Sequence, residues 1–251
     1  MPRLTGKIAL ITGSSSGIGR GVALAFARDG ADIVVNYPSA DERAAADGVV
    51  ADIVASGRRA IAVRADVAGE ADVERLVSTA EREFGRIDIL VNNAGIAHSA
   101  PLEDIPVATW DRLLAVHLRS VFLVTRLVIR GMYARDYGRI INTASQLAYK
   151  GAPGLTHYTA AKGAIISFTR SLALEIGPRN VNVNAVAPGA TLTPILDSVP
   201  PDLLDAVRRS IPKGRIADVD DIVPSYVFLA SDDARHYQGQ CLSPNGGDVF
   251  L

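Results

Sequence analysis

The sequence predicts an α/β fold: a parallel, doubly wound sheet of about seven strands with helices on both faces. Two observations carry this. Runs of β-type residues alternate with longer segments of helical period, and that alternation belongs to parallel sheets. The β-type runs are also apolar throughout rather than every second residue, as in strands buried on both faces. A single domain over residues 1–251 is the simplest reading, since no linker, repeat or low-complexity tract interrupts the rhythm.

The elements follow in order. The first strand is expected over Lys7–Thr12 and a helix over 18–29. A second strand, Asp32–Tyr37, precedes a helix over 42–56, and a third, Ala60–Arg64, precedes a helix over 70–84. The fourth strand, Asp88–Val91, leads to a long helical segment over 107–135. The fifth, Gly138–Thr143, leads to one over 155–177. Val181–Val186 is the sixth strand, and a short seventh is expected at Gln240–Ser243. Gly30, Gly57 and Gly85 each stand just past an expected helix, where C-terminal caps belong. From Pro188 to Arg215 five prolines break the pattern around a short helical patch at Asp202–Ser210. A long insertion after a strand, at the sheet's carboxyl edge, suits a substrate lid over about 189–215.

Composition narrows the function classes. Of the 251 residues, 48% are hydrophobic and 21% charged, which excludes a disordered chain. The net charge of −1 and the lack of a basic block argue against a nucleic-acid or anionic-membrane surface. Cys241 is the only cysteine, so no intrachain disulfide or cysteine-based metal site can form. The apolar run Ile8–Ile11 is too short for a signal peptide, and no stretch reaches the ~18 residues of a membrane span. A cytoplasmic protein is the expectation.

After the first strand comes Thr12-Gly13-Ser14-Ser15-Ser16-Gly17-Ile18-Gly19, then a helix. Glycines at a strand-to-helix turn let backbone amides approach a pyrophosphate, and the helix N-terminus favours its charge. Gly13, Ser15, Ser16, Gly17, Ile18 and Gly19 are therefore candidate dinucleotide contacts. The second strand ends Asn36-Tyr37-Pro38-Ser39, with no acid before Asp41. A carboxylate there would favour NAD; without one, nothing at this end of the strand repels a 2′-phosphate, and Asn36, Tyr37 and Ser39 could donate to it. NADP(H) is the favoured cofactor and NAD(H) the alternative. Asp66, followed by Val67, comes after the third strand, where its carboxylate could accept from an adenine amino group or serve as a helix cap or turn residue. After the fourth strand, Asn93, Ala94 and Gly95 of Asn-Asn-Ala-Gly would let the backbone border a cofactor, though the same four residues also read simply as a turn.

Tyr158 and Lys162 stand four apart on one helix and share a face. An ammonium beside a phenol favours the phenolate, which makes the pair a candidate general acid/base. Ser145, just past the fifth strand, could polarise a carbonyl oxygen next to the tyrosine.

Together these motifs resemble the short-chain dehydrogenase/reductase superfamily over essentially the whole chain. Thr12 to Gly19 match its T-G-x3-G-x-G, Asn92 to Gly95 its N-N-A-G, and Ser145, Tyr158 and Lys162 its catalytic set. Pro188-Gly189, followed by Thr191 and Thr193, match its P-G segment and further cofactor contacts. The resemblance implies a Rossmann-like fold and hydride transfer between a nicotinamide and a small-molecule carbonyl or secondary alcohol. Tyr158 would pass the proton, Ser145 hold the oxygen, and Lys162 bind the nicotinamide ribose. The pattern is most similar to 3-oxoacyl-carrier-protein and polyketide-type ketoreductases, with NAD-dependent sugar or steroid dehydrogenases as the alternative. It also implies a homotetramer, or a dimer, through the helices at 107–135 and 155–177.

One position departs. The family places asparagine where this chain has His117, within Val116-His117-Leu118. The imidazole could carry a proton in place of a relay water, replace asparagine structurally, or impair catalysis. The last outcome would leave a dinucleotide-binding sensor without turnover. His98, Gln146, Leu147, Tyr149 and His157 occupy places where family members contact substrate. No metal is expected.

Overall fold

The structure, a computed structural model, describes residues 2–196 and 199–250. Seven parallel strands form one sheet in the order β3-β2-β1-β4-β5-β6-β7. They are β1 (Ile8–Ile11), β2 (Asp32–Tyr37), β3 (Ala60–Arg64), β4 (Ile89–Asn92), β5 (Gly138–Thr143), β6 (Val181–Val186) and β7 (Cys241–Leu242). The order reverses between β1 and β4. Their chains leave toward opposite sides of the sheet there, and a crevice opens at the carboxyl ends.

One face is covered by α1 (Gly17–Arg28), α2 (Arg43–Ala55) and α9 (Val219–Ala230). Phe26, Ile53 and Tyr226 from these helices pack on Ile11, Ile33 and Val35 of the strands. The other face is covered by α3 (Glu70–Phe84), α5 (Ser120–Ala134) and α7 (Thr156–Ile176), which bring Leu76, Val124 and Ile176 against Leu10, Val34 and Leu90. Successive strand residues point to opposite faces, so both faces being covered requires the unbroken apolar runs.

All seven strands, the helices after the first, second and third, and α7 lie within two residues of their expected bounds. Gly30, Gly57 and Gly85 all take positive φ, between +81° and +97°, which ends each helix at low steric cost. Two elements differ from expectation. The segment 107–135 is not one α-helix. It is α4 (Val107–Leu114), a π-helical turn over Ala115–Arg119, and then α5. The sequence reading places no helix where α9 stands, and α9 carries Pro224 inside it. Its start is nevertheless encoded: Asp218 and Asp221 cap the first turn reciprocally, and Arg215 clamps Asp221 at 2.5 and 2.7 Å. Two short helices, α6 (Leu147–Lys150) and α8 (Pro201–Ser210), complete the chain, α8 where the patch at 202–210 was expected. Residues 197 and 198 of the expected lid lie outside the described residues.

Candidate active site

A cavity runs along the crevice at the switch point. One end is lined by Ser145, Tyr158, Lys162 and His117, the middle by Gly13 and Gly17, and the other end by Pro38, Glu42 and Asp66. Tyr158 and Lys162 project from the same side of α7, and the lysine nitrogen stands 5.6 Å from the phenol ring centroid. Lys162 is buried and donates to the Thr143 carbonyl at 2.7 Å. Burial pushes its ammonium down to about 7. Burial pushes the Tyr158 phenol up, and the neighbouring Ser145 hydroxyl opposes that shift. At neutral pH the tyrosine thus keeps its proton, the state needed to give one away.

The middle of the cavity is built from backbone. A Cβ on Gly19 would lie 2.3 Å from the Gly13 carbonyl oxygen, and one on Gly13 would meet the Ala94 Cα at 2.8 Å. Only glycine permits this approach of the loop to the turn after β4. The Asn93 side chain fastens the two together, donating to the Thr12 and Gly13 carbonyls at 3.0 Å each. The Thr12 hydroxyl accepts from the amides of Asn93 and Ala94 at 2.9 and 3.1 Å. The loop is thereby pre-shaped, with the N-terminus of α1 aimed into the cavity, as an anionic diphosphate requires.

His117 enters the site from the π-helical turn. One surplus residue widens the helix there, a distortion common at functional sites. The ring is buried, lies edge-on to Tyr158 with centroids 5.4 Å apart, and fills the space a Cβ on Gly95 would take, 2.6 Å from its Cε1. Its Nε2 is 2.8 Å from the Ile96 carbonyl oxygen and 3.1 Å from the Ile96 amide. Either tautomer satisfies one of these contacts and leaves Nδ1 without a protein partner. Desolvation, joined by the charge of Lys162, pushes the imidazole down to about 3. His117 is therefore neutral at physiological pH, well clear of the ordinary imidazole range near 6.5.

At the far end the side chains are committed differently from expectation. Asn36 is buried; its Oδ1 accepts from the Gly13 amide at 3.1 Å and its Nδ2 donates to the Ala65 carbonyl at 3.0 Å. It braces the glycine loop instead of offering a free donor. Tyr37 lines a separate shallow cleft with Arg43, Arg64 and Arg75, and Ser39 is exposed outside the cavity. Asp66 accepts from the Ala68 amide at 3.1 Å and from Arg112 at 2.8 Å. The acid that does reach this end is Glu42, whose carboxylate accepts from the Ser15 hydroxyl. The expectation that nothing here would repel a 2′-phosphate is corrected on this observation: a one-turn helix, Ala40–Glu42, carries the acid into the cavity from beyond the strand end.

Residues 13–248 match the family described as enoyl-(acyl carrier protein) reductase. The chain is 41% identical over the full length of both chains to a 3-oxoacyl-[acyl-carrier-protein] reductase of Synechocystis sp.. It is 40% identical to a (2S)-[(R)-hydroxy(phenyl)methyl]succinyl-CoA dehydrogenase subunit of Thauera aromatica, over 96% of each chain. Among solved structures, a short chain dehydrogenase from Burkholderia cenocepacia in complex with NADP superposes with a TM-score of 0.90 at 36% identity, covering 98% of this chain and 99% of that one. The chain belongs to the short-chain dehydrogenase/reductase superfamily.

It is thus an oxidoreductase acting between carbonyl and hydroxyl groups. Most expected contacts of this short-chain dehydrogenase/reductase line the cavity: Ser15, Ser16, Ile18, Val67, Asn93, Ala94, Gly95, Pro188, Gly189 and Thr193 join those named above. Gly19 stands behind the loop, and Thr191 bonds the Gly189 carbonyl at 3.0 Å without reaching the cavity. The expected substrate contacts lie outside it. His98 and His157 bond each other at 3.0 Å, linking the turn after β4 to the start of α7. Gln146 donates to Asp248 at 2.6 Å and leaves its Oε1 buried without a partner. Leu147 begins α6 and Tyr149 faces Cys241, whose thiol raises the phenol further after burial. The sequence reading did not single out Glu42, Pro38 or Arg112, and it held Pro194 and Ile195 only as part of the lid. The hydrophobic period of the helix near 107–135 could have flagged Arg112. Nothing local marks Glu42.

Proposed function

We propose that this chain reduces a ketone to a secondary alcohol with NADP(H), NAD(H) also being admitted, and that the ketone is a 3-oxoacyl thioester or a close analogue. One observation carries the reading: Tyr158, Ser145 and Lys162 meet at the end of a cavity whose middle is a glycine cradle. The Synechocystis relative, named as a 3-oxoacyl-[acyl-carrier-protein] reductase, and the NADP complex of the Burkholderia neighbour support it.

When bound, the nicotinamide supplies a hydride to the carbonyl carbon. The chain does the rest. Ser145 holds the carbonyl oxygen beside the phenol. Tyr158, protonated at neutral pH, gives that oxygen its proton as charge develops. Lys162, fixed by the Thr143 carbonyl, offers its remaining N–H groups to the ribose and stabilises the phenolate left behind. His117 acts here as a neutral, fixed wall of the site; as a relay it would have to pass a proton without resting in the charged form. Thr193, Pro194 and Ile195 from the expected lid border the cavity and would exclude water over a bound substrate.

We also infer a homotetramer in the cytoplasm, formed through the outer faces of α5 and α7. Phe122 is 47% exposed and Leu174 85% exposed on these faces, which favours burial against a second copy. Light scattering after gel filtration tests the assembly.

The test of function is NADPH and NADH oxidation across a β-ketoacyl thioester, a keto sugar, a steroid ketone, a diketone and an aromatic ketone. Turnover of the thioester, abolished in Tyr158→Phe, supports the reading. Turnover confined to the sugar or steroid replaces the substrate, and silence with retained NADPH binding replaces the enzyme with a binder.

A further inference from the structure

Two histidines flank Tyr158. His117 stands edge-on to its ring, and His157 precedes it in the first turn of α7, fully buried. Both reach across to the segment that follows β4. His117 bonds Ile96, and His157 bonds His98, Nε2 to Nδ1 at 3.0 Å with the rings edge to face. Two contacts continue the seam. The Ala100 amide donates to the Gly154 carbonyl at 3.0 Å. Gly154, at φ +74°, passes so close to Ser99 that a Cβ would lie 2.8 Å from the hydroxyl oxygen. Residues 96–100 are thereby strapped to the start of the helix that carries the phenol.

The His98–His157 bond is built for one protonation state. The Nδ1 of His157 is buried and has no partner. A proton there would make an orphan donor, which costs more than an unused lone pair. His157 therefore keeps its proton on Nε2 and donates it to His98 Nδ1. A proton added to His98 lands on the accepting nitrogen and sets N–H against N–H. A proton added to His157 lands on the orphan nitrogen and leaves a buried charge without a partner. Burial, joined by the charge of His98, pushes the His157 imidazole down, in keeping with a neutral pair.

The surroundings offer no compensating charge. α4, α6 and the π-helical turn pack against α7. On α4, Arg112 is held by Asp66 and Asp111 is exposed. On α6, Lys150 is held by Asp248. In the π-helical turn, His117 is neutral and Arg119 is exposed. Lys162, farther along α7, is committed to the Thr143 carbonyl. Glu103 and Asp104, just beyond the strap, are exposed. Among the described residues, no carboxylate bonds either ring of the pair.

We propose that His98 and His157 are positioning residues for the reduction: their neutral N–H···N bond holds residues 96–100 against α7, keeps Tyr158 set against Ser145, and breaks when either ring takes up a proton. This rests on the reading of Tyr158 as the proton donor. Neither ring lines the cavity, so both act through the helix that carries the phenol.

The test compares wild type, His98→Ala and His98→Asn at about pH 7.5 and about pH 5.5, an interval that spans ordinary imidazole titration. The reaction is NADPH-dependent reduction of the ketone that the panel above identifies, acetoacetyl-CoA first. Asparagine puts an amide oxygen near where Nδ1 stood and takes up no proton. His98→Ala should lower kcat about fivefold at the higher pH, the worth of one hydrogen bond, with KM for NADPH within about twofold. His98→Asn should restore most of that rate. From the higher pH to the lower, wild-type kcat should fall about threefold or more beyond the fall in His98→Asn, since all other titrations are shared. Hydrogen exchange of residues 96–100, corrected for the intrinsic effect of pH, reads the strap without turnover. Protection should drop in acid in wild type and hold in His98→Asn. If His98→Ala fails to fold, wild type and His98→Asn carry both comparisons. Coincident pH profiles, or coincident exchange, in these two proteins overturn the proposal. A wild type that reduces no ketone overturns the reductase reading and the role given to Tyr158, and the exchange comparison then decides the strap by itself.

Discussion

Replacing His117 by asparagine should make the protein more resistant to acid. The folded imidazole sits at about 3, against an unfolded value near 6.5. Its folded-state pKa is depressed, so the unfolded chain takes up the proton first as pH falls. The stability that the neutral ring contributes is complete above about 6.5 and is lost progressively down to about 3. Each pKa step is worth about 1.4 kcal/mol, so the full loss is about 5 kcal/mol, and about 2 kcal/mol of it falls between pH 6 and pH 4.5. Urea unfolding of wild type and His117→Asn at about pH 6 and about pH 4.5 measures this. Groups common to both proteins cancel in the comparison. The wild type should lose about 2 kcal/mol more than the variant over that interval. Parallel losses would refute the buried, neutral histidine, and with it the claim that this position does not titrate during turnover. A kinetic pKa near 6.5 that disappears in His117→Asn would refute it as well.

Further outcomes follow from the same geometry. Tyr158→Phe should lower kcat by about a thousandfold while NADPH affinity stays within a factor of about two, since the phenol gives a proton and does not hold the coenzyme; stopped-flow turnover beside a fluorescence titration separates the two. Lys162, depressed to about 7 by burial, binds fewer protons folded than unfolded between about 7 and its ordinary value near 10.4. Wild-type stability should therefore rise with pH across that window, and Lys162→Met should flatten the rise in chemical denaturation. Asn93→Ala strips two carbonyls of the loop of their donor, at 3.0 Å each, and should cost about 2 kcal/mol of stability with weaker coenzyme binding. Gly95→Ala drives a Cβ to 2.6 Å from the His117 ring and should destabilise by about 1–3 kcal/mol. Adding His117→Ala should restore part of that loss, and a thermal-denaturation double-mutant cycle showing strict additivity would disprove the contact.

The sheet was legible because its signal is local. Apolar strand runs such as Ile33–Val35 and cap glycines such as Gly85 follow from burial and backbone sterics alone. The reactive residues were legible as an ordered set, since the spacing of Tyr158 and Lys162 places both on one helix face. What the sequence hid depends on where side chains end up after folding. Asn36 reads as a free donor beside the ribose until its amide is seen bracing Gly13 and Ala65. Glu42 lies outside the strand end where an acid is sought, yet one helical turn and a serine hydroxyl bring it in. The π-helical turn is invisible because its residues have ordinary helical composition, and α9 carries Pro224 inside a helix that tertiary packing nonetheless sustains.

That π-helical turn has a consequence for the rest of its helix. A residue advances an α-helix by about 100°, so one surplus residue at Ala115–Arg119 re-phases everything beyond it. α4 buries Leu113, and α5 buries Leu123, Val124, Val128 and Met132, so the turn between them sets the phase of one buried set against the other. The distortion at His117 is thus also an angular gear between two halves of a rod. Excising a single residue from the turn would straighten the rod, swing the apolar stripe of α5 off the sheet, and unseat β4 and β5 along with the imidazole. The catalytic wall and the hydrophobic core share that one residue of slack.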